Sequence, residues 1–176
     1  MVAMKKKKYT VVIIAFLAII LLAYKLHFYQ PLESNIKEKY NIYVVYSPTC
    51  PHCKNLFSFL DREGIDVKKV SIEEFSTMKI FNNLSTYFRG VPFVFARVND
   101  TILIISGYPS SKQEKDGYFL GKDYEEGLCK EMNGTPIHIN DTYSFCELSK
   151  NVFLGNKYSI LWLIEQCREY GCEKLE

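Results

Sequence analysis

"IYVVYSPTCPHCKNLFSFLDREGIDVKKVSI" runs from Ile42 to Ile72 and holds two cysteines, Cys50 and Cys53, separated by Pro51 and His52. The run before them, Ile42–Tyr46, is β-branched and aromatic throughout, as expected of a strand covered on both faces. Beyond Pro51, the residues Leu56, Phe57 and Leu60 share one helical stripe, and Gly64 is a natural stop. Ile65–Ile72 then alternates like a second strand. Strand, helix and strand with short connections make a βαβ unit, which requires parallel pairing and a right-handed crossover.

Working outward, Ser71 with Glu74 forms a capping box that opens a helix reaching about Leu84. Val91–Val98 and Thr101–Ser106 read as strands joined by Asn99-Asp100, a tight hairpin signal. Tyr158–Gly171 is a last helix with Ile160, Leu161, Leu163 and Ile164 as its apolar stripe and Trp162 as core. Between these, residues 107–156 are rich in Gly, Asn, Asp, Lys and Tyr and show no clear element. That segment reads as an irregular insertion or lid before the last helix.

The N-terminus sets the address. Lys5–Lys8 precede an uncharged apolar run, Tyr9–Tyr24, which Lys25 and Leu26–Tyr29 can extend to the membrane interface. Residues 1–29 are expected to be a cytoplasmic lysine tail and transmembrane helix, 30–40 a linker with a short helix, and 41–176 one exported domain. An uncleaved anchor is favoured over a cleaved signal peptide, because no small-x-small site follows the run. The first 29 residues hold five of the 22 Lys and Arg and none of the 20 Asp and Glu. The remainder therefore carries 17 bases against 20 acids, which excludes a nucleic-acid surface. Six cysteines in an exported chain point to disulfide chemistry, and sequons at Asn83, Asn99, Asn133 and Asn140 are compatible with that address.

Cys50 falls between strand end and helix start, with Pro51 in the first turn, where its missing N–H costs nothing. At that N-cap it faces unsatisfied N–H groups and the positive end of the helix dipole, which favours the nucleophilic thiolate. His52 adds a polar group expected beside the sulfurs, and Cys53, three residues on, lies within bridging reach. Cys50 would meet the substrate and Cys53 would resolve the mixed disulfide. A zinc half-site lacks a second ligand pair of suitable spacing, so no metal and no cofactor is expected.

Strand, Cys-Pro-His-Cys, helix, strand, helix and then "GVPFVF" (Gly90–Phe95) resembles the thioredoxin superfamily. Cys50–Cys53 is identical to the motif of DsbA-type disulfide oxidases, while the lead-in "VYSPTCPHC" looks more like a glutaredoxin. The resemblance covers Ile42 to about Gly107 and the last helix. It implies a thioredoxin-like α/β fold with a central mixed four-stranded sheet flanked by helices. It also implies that Pro92 is a cis-proline facing the cysteines and that Val91 lends its backbone to an incoming substrate strand. The chain departs from the pattern at Val44, where thioredoxins and DsbA carry a buried carboxylate, and lacks the helical insertion of DsbA before Pro92.

Four cysteines remain. Cys129 with Cys146 and Cys167 with Cys172 is the expected structural pairing, one of three that four cysteines permit. The alternative makes Cys129 and Cys146 a second redox pair relaying electrons to Cys50. Tyr46 and Phe93 flank the motif, as groove residues or as core, while His27 and His138 have no evident role.

The expectation is a membrane-anchored, extracytoplasmic thiol–disulfide oxidoreductase acting on protein thiols and disulfides. It needs a separate electron-transfer partner to recharge it. The alternatives are a thioredoxin-like module that binds a metal or peptide, and a dedicated reductant of one exported client.

Overall fold

A computed structural model describes residues 38–115, 122–139 and 144–175 of the chain. The expected anchor over 1–29 and most of the 30–40 linker lie outside the described residues. Among the described residues, no helix is long and apolar enough to cross a membrane.

The first strand, β1 (Glu38–Tyr46), reaches back into the segment read as linker, so the folded unit starts earlier than expected. Helix α1 (Pro51–Arg62) leads to β2 (Ile65–Ser71), which pairs in parallel with β1. Strands β3 (Phe93–Val98) and β4 (Thr101–Ser106) form an antiparallel hairpin, and β3 runs antiparallel to β1. The turn between them holds Asn99 at φ 47° and Asp100 at φ 60°, the left-handed pair a two-residue hairpin demands.

Alternation along β1 separates two cores. Ile42 and Val44 face one side, with Leu56, Phe59 and Leu60 of α1 and Ile160, Leu163 and Ile164 of the last helix, α6 (Lys157–Tyr170). Tyr43 and Val45 face the other, with Phe75 of α2 (Ile72–Thr77) and Leu84 of α3 (Phe81–Leu84). The single helix expected to run to Leu84 is thus two. Ser76 and Thr77 hydroxyls donate to the Glu73 and Glu74 carbonyls, and the chain turns extended at Met78. The Phe75 ring lies 5.2–5.7 Å from those of Phe81, Phe88, Phe93 and Phe95, which holds the segment entering β3 against the sheet.

The expected four-stranded sheet and irregular insertion both need correction. Among the described residues, the sheet has seven strands in the order β2-β1-β3-β4-β7-β6-β5. Residues 107–156 supply α4 (Ser111–Lys115), α5 (Lys122–Glu131), β5 (Thr135–His138), β6 (Ser144–Ser149) and β7 (Val152–Leu154). β7 joins the β4 edge in parallel, and β6 and β5 follow as an antiparallel pair. Phe145 and Phe153 carry the core outward by packing on Trp162, with ring centroids 5.3 and 4.7 Å away. A disulfide joins Cys129 of α5 to Cys146 of β6. Gly134 passes so close that a Cβ there would strike the Cys146 sulfur. The second disulfide, Cys167–Cys172, turns the chain back after α6. Glu173 N–H then donates to the Arg97 carbonyl (3.0 Å) and Leu175 N–H to the Tyr43 hydroxyl (2.9 Å).

Candidate active site

The turn after β1 closes with Cys50 N–H donating to the Ser47 carbonyl at 3.1 Å. Cys50 therefore arrives extended (φ −74°, ψ 115°) as the N-cap of α1, with Pro51 in the first turn. Its sulfur accepts the Cys53 backbone N–H at 3.2 Å, filling the role a serine oxygen plays at ordinary caps. Negative charge on Cys50 is met there by an amide N–H and the helix dipole.

The two thiols, both free, differ sharply in setting. Cys50 is half-buried, whereas Cys53 is 1 % exposed. Burial pushes the Cys53 thiol up to about 12, with its hydrogen bond to Cys50 adding in the same direction. Val44, which occupies the position of the family's carboxylate, is fully buried in the core below.

The Val91–Pro92 peptide is cis, and the Cys50 thiol donates to the Val91 carbonyl at 3.5 Å. Val91, Pro92 and the two cysteines thus share one end of the sheet. Pro92 is fully buried and Val91 only partly so.

His52, expected beside the sulfurs, donates its Nδ1–H to the Tyr108 carbonyl at 2.7 Å. A carbonyl only accepts, so Nδ1 carries the proton. One turn on, buried Asn55 makes a companion tie that the sequence reading missed. Its Nδ2 donates to the Pro109 carbonyl and its Oδ1 accepts from the Ser111 hydroxyl, both at 2.9 Å. A polar residue interrupting the apolar stripe of α1 was the only available signal. His52 and Asn55 fasten the active-site helix to the start of the inserted segment.

Of the other candidates, Tyr46 packs edge-on against Phe57 at 5.5 Å, while Phe93 is wholly buried and belongs to the core rather than to a groove. Cys129 and Cys146 are 1 % and 2 % exposed, which closes their sulfurs to exchange with a visiting protein. His138 stands on β5 opposite Ser144. Asn99 and Asn133 both occupy left-handed turn positions, a conformational reason for asparagine there independent of any sugar. His27 and Asn140 lie outside the described residues.

Residues 41–101 match the family model described as Glutaredoxin, a span from β1 to the start of β4 that includes both cysteines and Pro92. No curated protein and no solved structure matches the chain. Taken with a mixed sheet flanked by helices, the match supports a thioredoxin-superfamily domain with the character of a thiol oxidoreductase.

Proposed function

We propose that the chain is a membrane-anchored, extracytoplasmic oxidoreductase that exchanges disulfides with protein substrates through Cys50 and Cys53. The observation that carries this reading is the asymmetry of the pair: a half-buried Cys50 whose sulfur accepts an amide N–H, and a buried Cys53 thiol behind it. In the reducing direction, the Cys50 thiolate attacks one sulfur of a substrate disulfide. That S–S bond breaks, a mixed disulfide forms, and the departing substrate thiolate takes a proton. Cys53 then loses its proton and attacks the Cys50 sulfur, releasing the second substrate thiol and leaving the Cys50–Cys53 disulfide. Two electrons pass to the substrate, and the reverse sequence oxidises a substrate dithiol.

The Val91 carbonyl beside Cys50 is placed to align an extended substrate chain, and Pro51 shapes the first helical turn between the sulfurs. Export fits the lysine tail, the apolar run and two disulfides, which persist in oxidising compartments. The test is insulin reduction by the full chain with a small dithiol as reductant. Wild type should accelerate it, and Cys50→Ser should return the rate to background. A Cys50→Ser variant with the wild-type rate would overturn the proposal.

A further inference from the structure

The end of β4 and the first residues of the inserted segment touch both halves of the candidate site. Gly107 N–H donates to the Pro92 carbonyl at 2.9 Å, which fixes the chain leaving β4 to the cis-proline. Gly107 itself is left-handed (φ 77°), a conformation that glycine adopts without steric cost. The returning chain closes the other side. Gly155 N–H donates to the Ser106 carbonyl at 2.9 Å, and a Cβ on Gly155 would strike the Gly107 carbonyl. The Ser106–Gly107 peptide is therefore gripped from two directions.

From there the chain crosses to α1. The Tyr108 carbonyl accepts from His52, the Pro109 carbonyl accepts from Asn55 Nδ2, and the Ser111 hydroxyl donates to Asn55 Oδ1. Asn55 is 6 % exposed, and both ends of its amide are bonded to this crossing segment. An apolar side chain would fill that buried position at no polar cost, so what the amide adds is a directional tie. Residues 107–111 thus form a strap from Pro92 to α1. The two elements that it joins are those that meet at the reacting sulfur, where Cys50 lies 3.5 Å from the Val91 carbonyl. All of these strap residues lie beyond the matched residues 41–101.

Resting on the oxidoreductase reading above, we propose that Asn55 is a positioning residue for disulfide exchange. It locks α1 to the strap and so holds Cys50 in register with the Val91 carbonyl, the group placed to align a substrate chain. The nucleophilicity of Cys50 has a separate source, the Cys53 N–H and the helix dipole, both internal to α1. Loosening the tie therefore costs alignment and spares reactivity.

The test gives the reduced full chain two reagents, a disulfide-linked peptide dimer in single turnover and iodoacetamide. The first reaction breaks the peptide S–S bond and yields the Cys50–Cys53 disulfide and two peptide thiols. In the second the Cys50 thiolate displaces iodide, which needs no alignment on Val91. Asn55→Ala should lower the maximal rate with the dimer roughly tenfold, with the half-saturating concentration and the alkylation of Cys50 held within about twofold. Ser111→Ala, at an exposed position that leaves the fold intact, should show the same pattern at roughly threefold. The double variant should be no slower than Asn55→Ala, because both changes break one tie. Where Asn55→Ala does not fold, the Ser111→Ala arm decides. Unchanged dimer rates, additive losses, an equal loss of alkylation, or a loss confined to the half-saturating concentration would overturn the positioning role and leave the exchange chemistry standing. A wild-type chain that is alkylated at Cys50 yet does not reduce the dimer would overturn the oxidoreductase reading beneath it.

Discussion

Cys53 sits behind the Cys50 sulfur with its thiol held neutral by burial, up to about 12. In the unfolded chain the same group ionises near ~8.5. A raised folded value means that its contribution to stability is complete below ~8.5 and is lost as pH climbs towards 12. Urea unfolding of the reduced chain and of Cys53→Ala should therefore differ by a constant amount from pH 6 to 8. The wild type should then lose ground steadily at pH 9, 10 and 11. A difference that stays flat across that range would contradict the burial argument. The same property shapes the chemistry, since resolution requires Cys53 to give up its proton and Val44 offers no carboxylate to take it. His52 shows how far a residue can be read alone. Its place two residues from Cys50 is evident from the sequence, but its partner, the Tyr108 carbonyl, sits in a segment without a readable pattern.

At the level of elements, the legible part is the part built from local signals. β1, α1, β2 and the β3–β4 hairpin each declare themselves through periodicity or turn residues within a few positions. The inserted unit does not. Its strands are as short as Val152–Leu154, β5 has no fully buried residue, and β7 joins the rest of the sheet by pairing with β4, a strand far back in the chain. What stabilises it is also non-local, namely the Trp162 ring and the Cys129–Cys146 bridge. Replacing both cysteines by Ala should cost about 3 kcal/mol, through the entropy of the loop they close, and lower Tm by roughly 10 °C. Amide exchange should quicken in α5, β5 and β6 while β1 and β3 keep their protection. A loss of under ~2 °C, or loosening spread evenly over the sheet, would show that the bridge is not what holds this unit.

Over the whole molecule, a thioredoxin-like sheet ends at β4 and a disulfide-tied segment continues it, so one side of the candidate site lies within the matched span and the residues beyond β4 lie outside it. The Cys167–Cys172 bridge performs a similar service at the opposite end, turning the tail back onto Arg97 and Tyr43. Both bridges suit an oxidising compartment, in keeping with the proposed export of the domain. On the proposed function, the net direction of exchange follows from the potential of the Cys50–Cys53 pair.

The division of labour between the two sulfurs is tested most directly by trapping. The full chain carrying Cys53→Ser, mixed with a disulfide-bonded protein and quenched with acid, should accumulate a covalent adduct that reductant releases and that mass spectrometry maps to Cys50. The Cys50→Ser chain should yield none. An adduct mapped to Cys53, or equal adducts from both variants, would contradict the account.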